Sequence, residues 1–213
     1  MTLDISLIRS QFPALAGETI FLDNPAGTQV TEQVLKRINQ YLVETNANTH
    51  GAFATSAASD AVLAEARAAC ADFYNASRPE EIVFGPNMTS LTFNFSRSLA
   101  RWMSPGDEIV VTRLDHDANI TPWTMMAEDR GCNVRWVDFD IENGTLRLDS
   151  LEAALAHKPK LVAVGYASNA LGTINPVKQI TQMAHDVGAL VYVDAVQYAP
   201  HGPIDVQDLG CDF

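Results

Sequence analysis

From Glu81 onward the chain alternates short, β-branched apolar runs with longer stretches of helical period. The runs "EIVFG", "DEIVVT", "VRWVDFD", "KLVAVGY" and "LVYVDA" are interleaved with "TSLTFNFSRSLARWM", "NITPWTMMAEDRG", "DSLEAALAH" and "VKQITQMAHDVG". Nearly continuous apolar runs suit strands covered on both faces, and their alternation with helices predicts an α/β fold: a mostly parallel sheet with helices on both faces. Turn chemistry agrees with these boundaries. Pro105-Gly106-Asp107 precedes a strand, Asn143-Gly144 follows one, Asp149 can cap the next helix, and Gly188 stands where the last should stop.

Residues 1–75 read differently from residues 76–213. A helical pattern covers Glu32 to about Glu44, and an alanine-rich helix covers about Asp60 to Tyr74. Between them lies "TNANTHGAFATSAAS", a polar loop longer than ordinary connections and so a candidate for function.

Composition narrows the partners. The 26 acidic and 14 basic residues give a formal charge of -12, which repels phosphate backbones and anionic membranes, so nucleic acid and membrane surfaces are not expected partners. Cys70, Cys132 and Cys211 form neither a disulfide framework nor a metal-binding pair, and no segment reads as a membrane helix or export signal. A cytoplasmic protein without a metal site is the expectation.

In an open parallel sheet, ligands bind beyond the carboxyl ends of the strands, so the residues that follow each run carry the candidate chemistry. They are Asn87-Met88-Thr89 at a helix start, His116 in "RLDHDAN", Asn169 in "ASNALGT", and Asp194 with Gln197 in "VDAVQYAPH". Singly, each has an ordinary alternative. Asn87 to Thr89 can be a helix cap, His116 a surface loop residue, Asn169 a turn former with Gly172, and Asp194 a strand-end cap or salt-bridge partner. Together they describe a flat, anionic, nitrogen-containing ligand: a phosphate at a helix N-terminus, a ring over an imidazole, and a carboxylate at a pyridine nitrogen. That ligand is pyridoxal 5'-phosphate (PLP). An NAD-binding Rossmann domain fits poorly, because no G-x-G-x-x-G follows a strand.

The segments "FLDNPAGTQ", "EEIVFGPNMTSLTFN", "LDHDANITPW", "ASNALGTINPV" and "VDAVQYAPHGPIDVQDLGCDF", in this order, resemble the class V aminotransferase family, specifically its cysteine desulfurase and selenocysteine lyase-like branch. The resemblance implies the large domain of the PLP-dependent transferase fold (fold type I). It implies that Met88 and Thr89 hold the phosphate, His116 stacks on the ring, Asn169 approaches the substrate side or ring oxygen, Asp194 pairs with the pyridinium nitrogen, and Gln197 bonds the ring hydroxyl. Asn24, Ala26 and Gly27 match a loop near the substrate carboxylate, and "NTHGAFATS" matches a segment that crosses a homodimer interface. The implied reaction releases alanine from cysteine or selenocysteine and passes sulfur to an acceptor protein.

The resemblance also carries departures. The Schiff-base lysine falls on the strand after "CDF", past Phe213, and Lys36, Lys158, Lys160 and Lys178 match no such position. The sulfur-accepting cysteine and the arginine that grips the substrate carboxylate likewise fall past Phe213, so the chain reads as an incomplete, inactive N-terminal portion truncated before the lysine strand. Asp117 stands where a second histidine is commoner, and His50 where many members carry arginine. Cys70 and Cys132 read as packing residues. Other class V chemistry, epimerisation or transamination, and a non-catalytic α/β binding module derived from this fold remain alternatives.

Overall fold

Polar side chains mark where several helices begin in the computed structural model, which describes residues 3–213. Asp4 accepts from Leu7 N–H to cap α1 (Ile5–Ser10), and Thr31 accepts from Val34 N–H to cap α2 (Glu32–Gln40). One π-helical turn, Tyr41–Thr45, continues α2. Helix α3 spans Ala54–Tyr74, six residues longer at its start than the sequence pattern suggests. Serines that read as loop residues explain the difference: buried Ser59 donates to the Thr45 carbonyl at 2.5 Å, and buried Ser56 accepts from Gly51 N–H at 2.7 Å. The chain divides into two units, one ending at Ala69 and one running from Cys70 to Phe213.

The second unit is the α/β sheet. Its strands are β1 (Glu108–Thr112), β2 (Asn133–Val137), β3 (Leu161–Gly165) and β4 (Leu190–Asp194), all parallel in the order β2-β1-β3-β4. Helices α4 (Met88–Leu99), α5 (Thr121–Arg130), α6 (Leu148–Leu155) and α7 (Val177–Asp186) cover them, and the short α8 (Val206–Leu209) follows β4. Alternation along the strands builds a core on each face. Val110, Val162, Val164 and Val191 pack with Leu151, Leu155 and Ile180 of α6 and α7. Ile109, Val111, Leu161 and Ala163 pack with Trp123 and Met126 of α5, against Phe95 and Leu99 of α4. The fold is therefore the doubly covered parallel sheet that the sequence predicts.

Two expectations fail. "EIVFG" is not a strand: no described strand pairs with it, and Val83 and Phe84 are 71% and 45% exposed. Asp149 does not cap α6 but lies in its first turn, paired with Arg147 at 2.5 Å. Among the described residues, no helix is long and apolar enough to cross a membrane.

Candidate active site

From β1 the chain moves to β2 on one side and then returns to build β3 and β4 on the other, so the strand order reverses between β1 and β3. Ligands bind at such reversals because the connections leave in opposite directions and open a crevice. Here the opening is visible in the register. β1–β2 and β3–β4 each pair over five positions, whereas β1 and β3 pair only at Ile109 with Leu161 and Val110 with Val162. Their carboxyl ends are left unladdered.

His116, Asn169, Asp194 and Gln197 lie at or after the carboxyl ends of β1, β3 and β4 in the chain. His116 follows β1, and its Nδ1 accepts from Ala118 N–H at 3.0 Å, which fixes the tautomer and leaves an exposed ring. Asp194 ends β4 half-buried, with Oδ1 accepting from Val196 N–H at 3.0 Å. Burial raises its pKa above the usual carboxylate range, opposed by the Val196 N–H and by the electrostatic influence of His116. The effect of His116 on Asp194 puts the two within electrostatic reach. Gln197 is half-buried in the turn after β4. Asn169 sits at the tip of a turn held by Ser168, whose Oγ accepts from Ala170 and Leu171 N–H, and closed by Gly172 N–H to Ser168 O at 3.0 Å. The turn reading of Asn169 and the cap reading of Asp194 are therefore both correct as local structure.

Helix α4 begins at the same region. Asn87 caps it by accepting from Ser90 N–H at 2.8 Å, and the first-turn N–H groups of Met88 and Thr89 have no acceptor inside the helix. Thr92, one turn on and fully buried, shares a 2.9 Å hydrogen bond with the Tyr192 hydroxyl. Tyr192 and Asp194 lie on the same face of β4, two residues apart, so this bond ties the helix start to the strand that carries Asp194. Tyr192 is further held by Trp123 at 5.0 Å and Phe95 at 5.8 Å between ring centroids.

Asp115 was not among the sequence candidates. Its Oδ1 accepts from Gly165 N–H at 2.6 Å and its Oδ2 from Asn119 Nδ2 at 3.3 Å. Burial of the carboxyl raises its pKa to about 7; the Gly165 N–H opposes this and the nearby Asp194 charge adds to it. Gly165 is the signal that could have found it. A glycine closing an otherwise β-branched strand marks a close approach, and a Cβ there would lie 2.4 Å from Asp115 Oδ1.

The remaining candidates and the lysines have these local settings. Asn24 to Ala26 form an exposed 3-10 turn in the first unit, followed by Gly27, and His50 N–H donates to Asp60 in the same unit. Lys158 and Lys160 precede β3, at the sheet's opposite end, where Lys160 pairs with Asp107 at 2.7 Å. Lys178 pairs with Asp208 and Lys36 with Glu32. Among the described residues no group of histidine, cysteine and carboxylate side chains could hold a metal ion.

A four-stranded parallel sheet flanked by helices is the architecture of an α/β domain of PLP-dependent fold type I. The class V aminotransferase family model matches residues 20–213, and the chain belongs to that family, whose members are PLP-dependent. An aminotransferase-like protein of Gibberella zeae is 41% identical over 98% of this chain and 53% of its own length. A cysteine desulfurase of Pectobacterium atrosepticum is 37% identical over 100% of this chain and 54% of its own. The apo structure of a cysteine desulfurase from Thermococcus onnurineus superposes with a TM-score of 0.91 at 31% identity, covering all of this chain and 52% of that one. The chain thus spans about half the length of the curated relatives it matches.

Proposed function

We propose that this chain supplies the ring and phosphate contacts of a PLP-dependent, desulfurase-like enzyme acting on cysteine or selenocysteine. The observation that carries the reading is Asp194: a half-buried carboxylate at the carboxyl end of β4, on the strand face tied to the start of α4 and within the field of His116. A buried carboxylate and uncommitted first-turn N–H groups suit the two ends of this cofactor, a pyridine nitrogen and a phosphate. When bound, PLP supplies an electron sink for bonds broken at the substrate's Cα and Cβ.

The residues of this chain hold and tune that ring. Asp194 keeps a proton on the ring nitrogen, because the charge pair is worth more in a desolvated site than in water. His116, pinned by the Ala118 N–H, offers its flat face for stacking. The Met88 and Thr89 N–H groups and the Thr89 hydroxyl take the phosphate, Gln197 bonds the ring hydroxyl, and Asn169 reaches the substrate side or ring oxygen. In the net reaction, one sulfur atom leaves cysteine for an acceptor thiol, giving alanine and a persulfide.

The same reading makes the whole protein a cytoplasmic homodimer that hands sulfur to an acceptor protein. The free thiols Cys70, Cys132 and Cys211 support a reducing compartment. The test is to incubate the whole protein with PLP, L-cysteine and a thiol, and to measure alanine against persulfide sulfur. Equimolar release is expected. D-cysteine, or a keto acid formed with loss of the amino group, would instead assign the protein to epimerisation or transamination.

A further inference from the structure

We propose that Asp115 is a positioning residue of the ring site, bracing the splayed ends of β1 and β3 so that His116 and Asp194 face the ring at a fixed separation. The inference rests on the reading of those two residues as ring contacts, and deepens it.

β1 and β3 stop pairing at Val110 and Val162, three residues before β3 ends at Gly165. Asp115 reaches across that gap. Its Oδ1 takes the Gly165 N–H at 2.6 Å, and the Gly165 carbonyl accepts from buried Asn175 Nδ2 at 2.8 Å, so both backbone polar groups of Gly165 are held. Gly165 is the register partner of Asp194, and the Tyr166 N–H donates to the Asp194 carbonyl at 2.7 Å. One side chain therefore fixes the end of β3 against which Asp194 is laddered. The same residue immediately precedes His116 in the chain.

The other oxygen is held by a longer bond, 3.3 Å from Asn119 Nδ2. Asn119 is fully buried, donating to Asp115 Oδ2 while its Oδ1 accepts from Trp123 Nε1 at 3.0 Å. Trp123 is fully buried beneath Tyr192. The brace thus runs from Trp123 of α5 through Asn119 and Asp115 to Gly165 at the end of β3. Burying a carboxylate beside Asp194 costs stability, and a position that needs only packing is better served by an apolar side chain. What a carboxylate adds here is two acceptors with fixed direction, one for each wall of the crevice. The titratable group whose charge acts on it is Asp194.

The experiment titrates the full chain with pyridoxamine 5'-phosphate, which needs no lysine, in wild type, Asp115→Ala and Asp115→Asn. Affinity is read by fluorescence, ring-nitrogen protonation by the pH midpoint of the bound absorbance, and folding by circular dichroism. Asparagine retains an Oδ1 for the Gly165 N–H but offers an Nδ2 donor to the Asn119 Nδ2; alanine retains neither acceptor. The expected result is that Asp115→Ala binds at least about tenfold more weakly, with its midpoint moved toward that of the free ligand, while Asp115→Asn recovers most of both. If Asp115→Ala does not fold, Asp115→Asn decides: a midpoint near wild type upholds the brace and a free-ligand midpoint overturns it. Wild-type affinity and midpoint in folded Asp115→Ala also overturn it, as do equal losses in both variants. Failure of the wild type itself to bind pyridoxamine 5'-phosphate would sink the ring-site reading, and is distinguishable from all of these.

Discussion

Replacing Asp115 with asparagine should make folding less sensitive to pH, moving the stability difference between variant and wild type in the variant's favour as pH rises. In the folded chain burial lifts the Asp115 pKa to about 7, against an ordinary value of 3.8. A raised carboxylate pKa means that the native state holds its proton where the unfolded chain has released it. The associated stability is complete below pH 3.8 and is lost as pH rises through about 7. At 1.36 kcal/mol per pKa unit, the loss between pH 4.5 and pH 8 is about 3 kcal/mol. Asparagine does not titrate, so the variant keeps that energy. Urea unfolding at pH 4.5 and pH 8 measures it: the stability difference between variant and wild type should shift by about 3 kcal/mol in the variant's favour at the higher pH. A difference that stays constant across this range, or moves the other way, would refute the claim that the Asp115 carboxyl is a buried acid held next to Asp194.

Trp123 is fully buried, so Trp123→Ala should cost about 3–5 kcal/mol in urea unfolding. Trp123→Phe keeps most of the packing but leaves the buried Asn119 Oδ1 without its donor, and should cost about 1–3 kcal/mol. Thr92→Val removes the bond to Tyr192 and should cost about 1 kcal/mol while weakening pyridoxamine 5'-phosphate binding, since the bond ties α4 to β4. In the whole protein, Asp194→Ala should cut turnover far more than it cuts PLP retention, because the ring's electronics depend on it more than the phosphate anchor does. Equal losses in a turnover and a cofactor-retention assay would count against that role.

The paired strands were legible because central parallel strands are buried on both faces, and burial writes itself into sequence as runs such as Ile109-Val110-Val111 and Leu161-Val162-Ala163-Val164. The same rule misled at Ile82-Val83-Phe84, where the composition of a strand occurs without a paired neighbour among the described residues. Pairing is a property of two segments, and one segment's composition cannot report it. At the start of α3, Ser56 and Ser59 look like loop residues, yet burial and hydrogen bonds to Gly51 N–H and the Thr45 carbonyl satisfy them inside a helix. In the site, strand ends pointed to His116, Asn169 and Asp194 because the topology of parallel sheets says where to look. Asp115 escaped because the period of 2 lapses when a strand ends, so nothing in "LDHDAN" says which of its two aspartates turns inward. Only the β3 partner supplies the answer, through Gly165.

The place where a pyridine ring sits in this chain decides the roles of Asp194, His116 and the start of α4. A crystal structure with pyridoxamine 5'-phosphate bound measures it. The ring nitrogen should lie within hydrogen-bonding distance of an Asp194 carboxylate oxygen, the His116 imidazole should stack on the ring, and the phosphate should rest on the Met88 and Thr89 N–H groups. A ring bound away from the carboxyl ends of β1, β3 and β4, or a phosphate held anywhere but the start of α4, would contradict it.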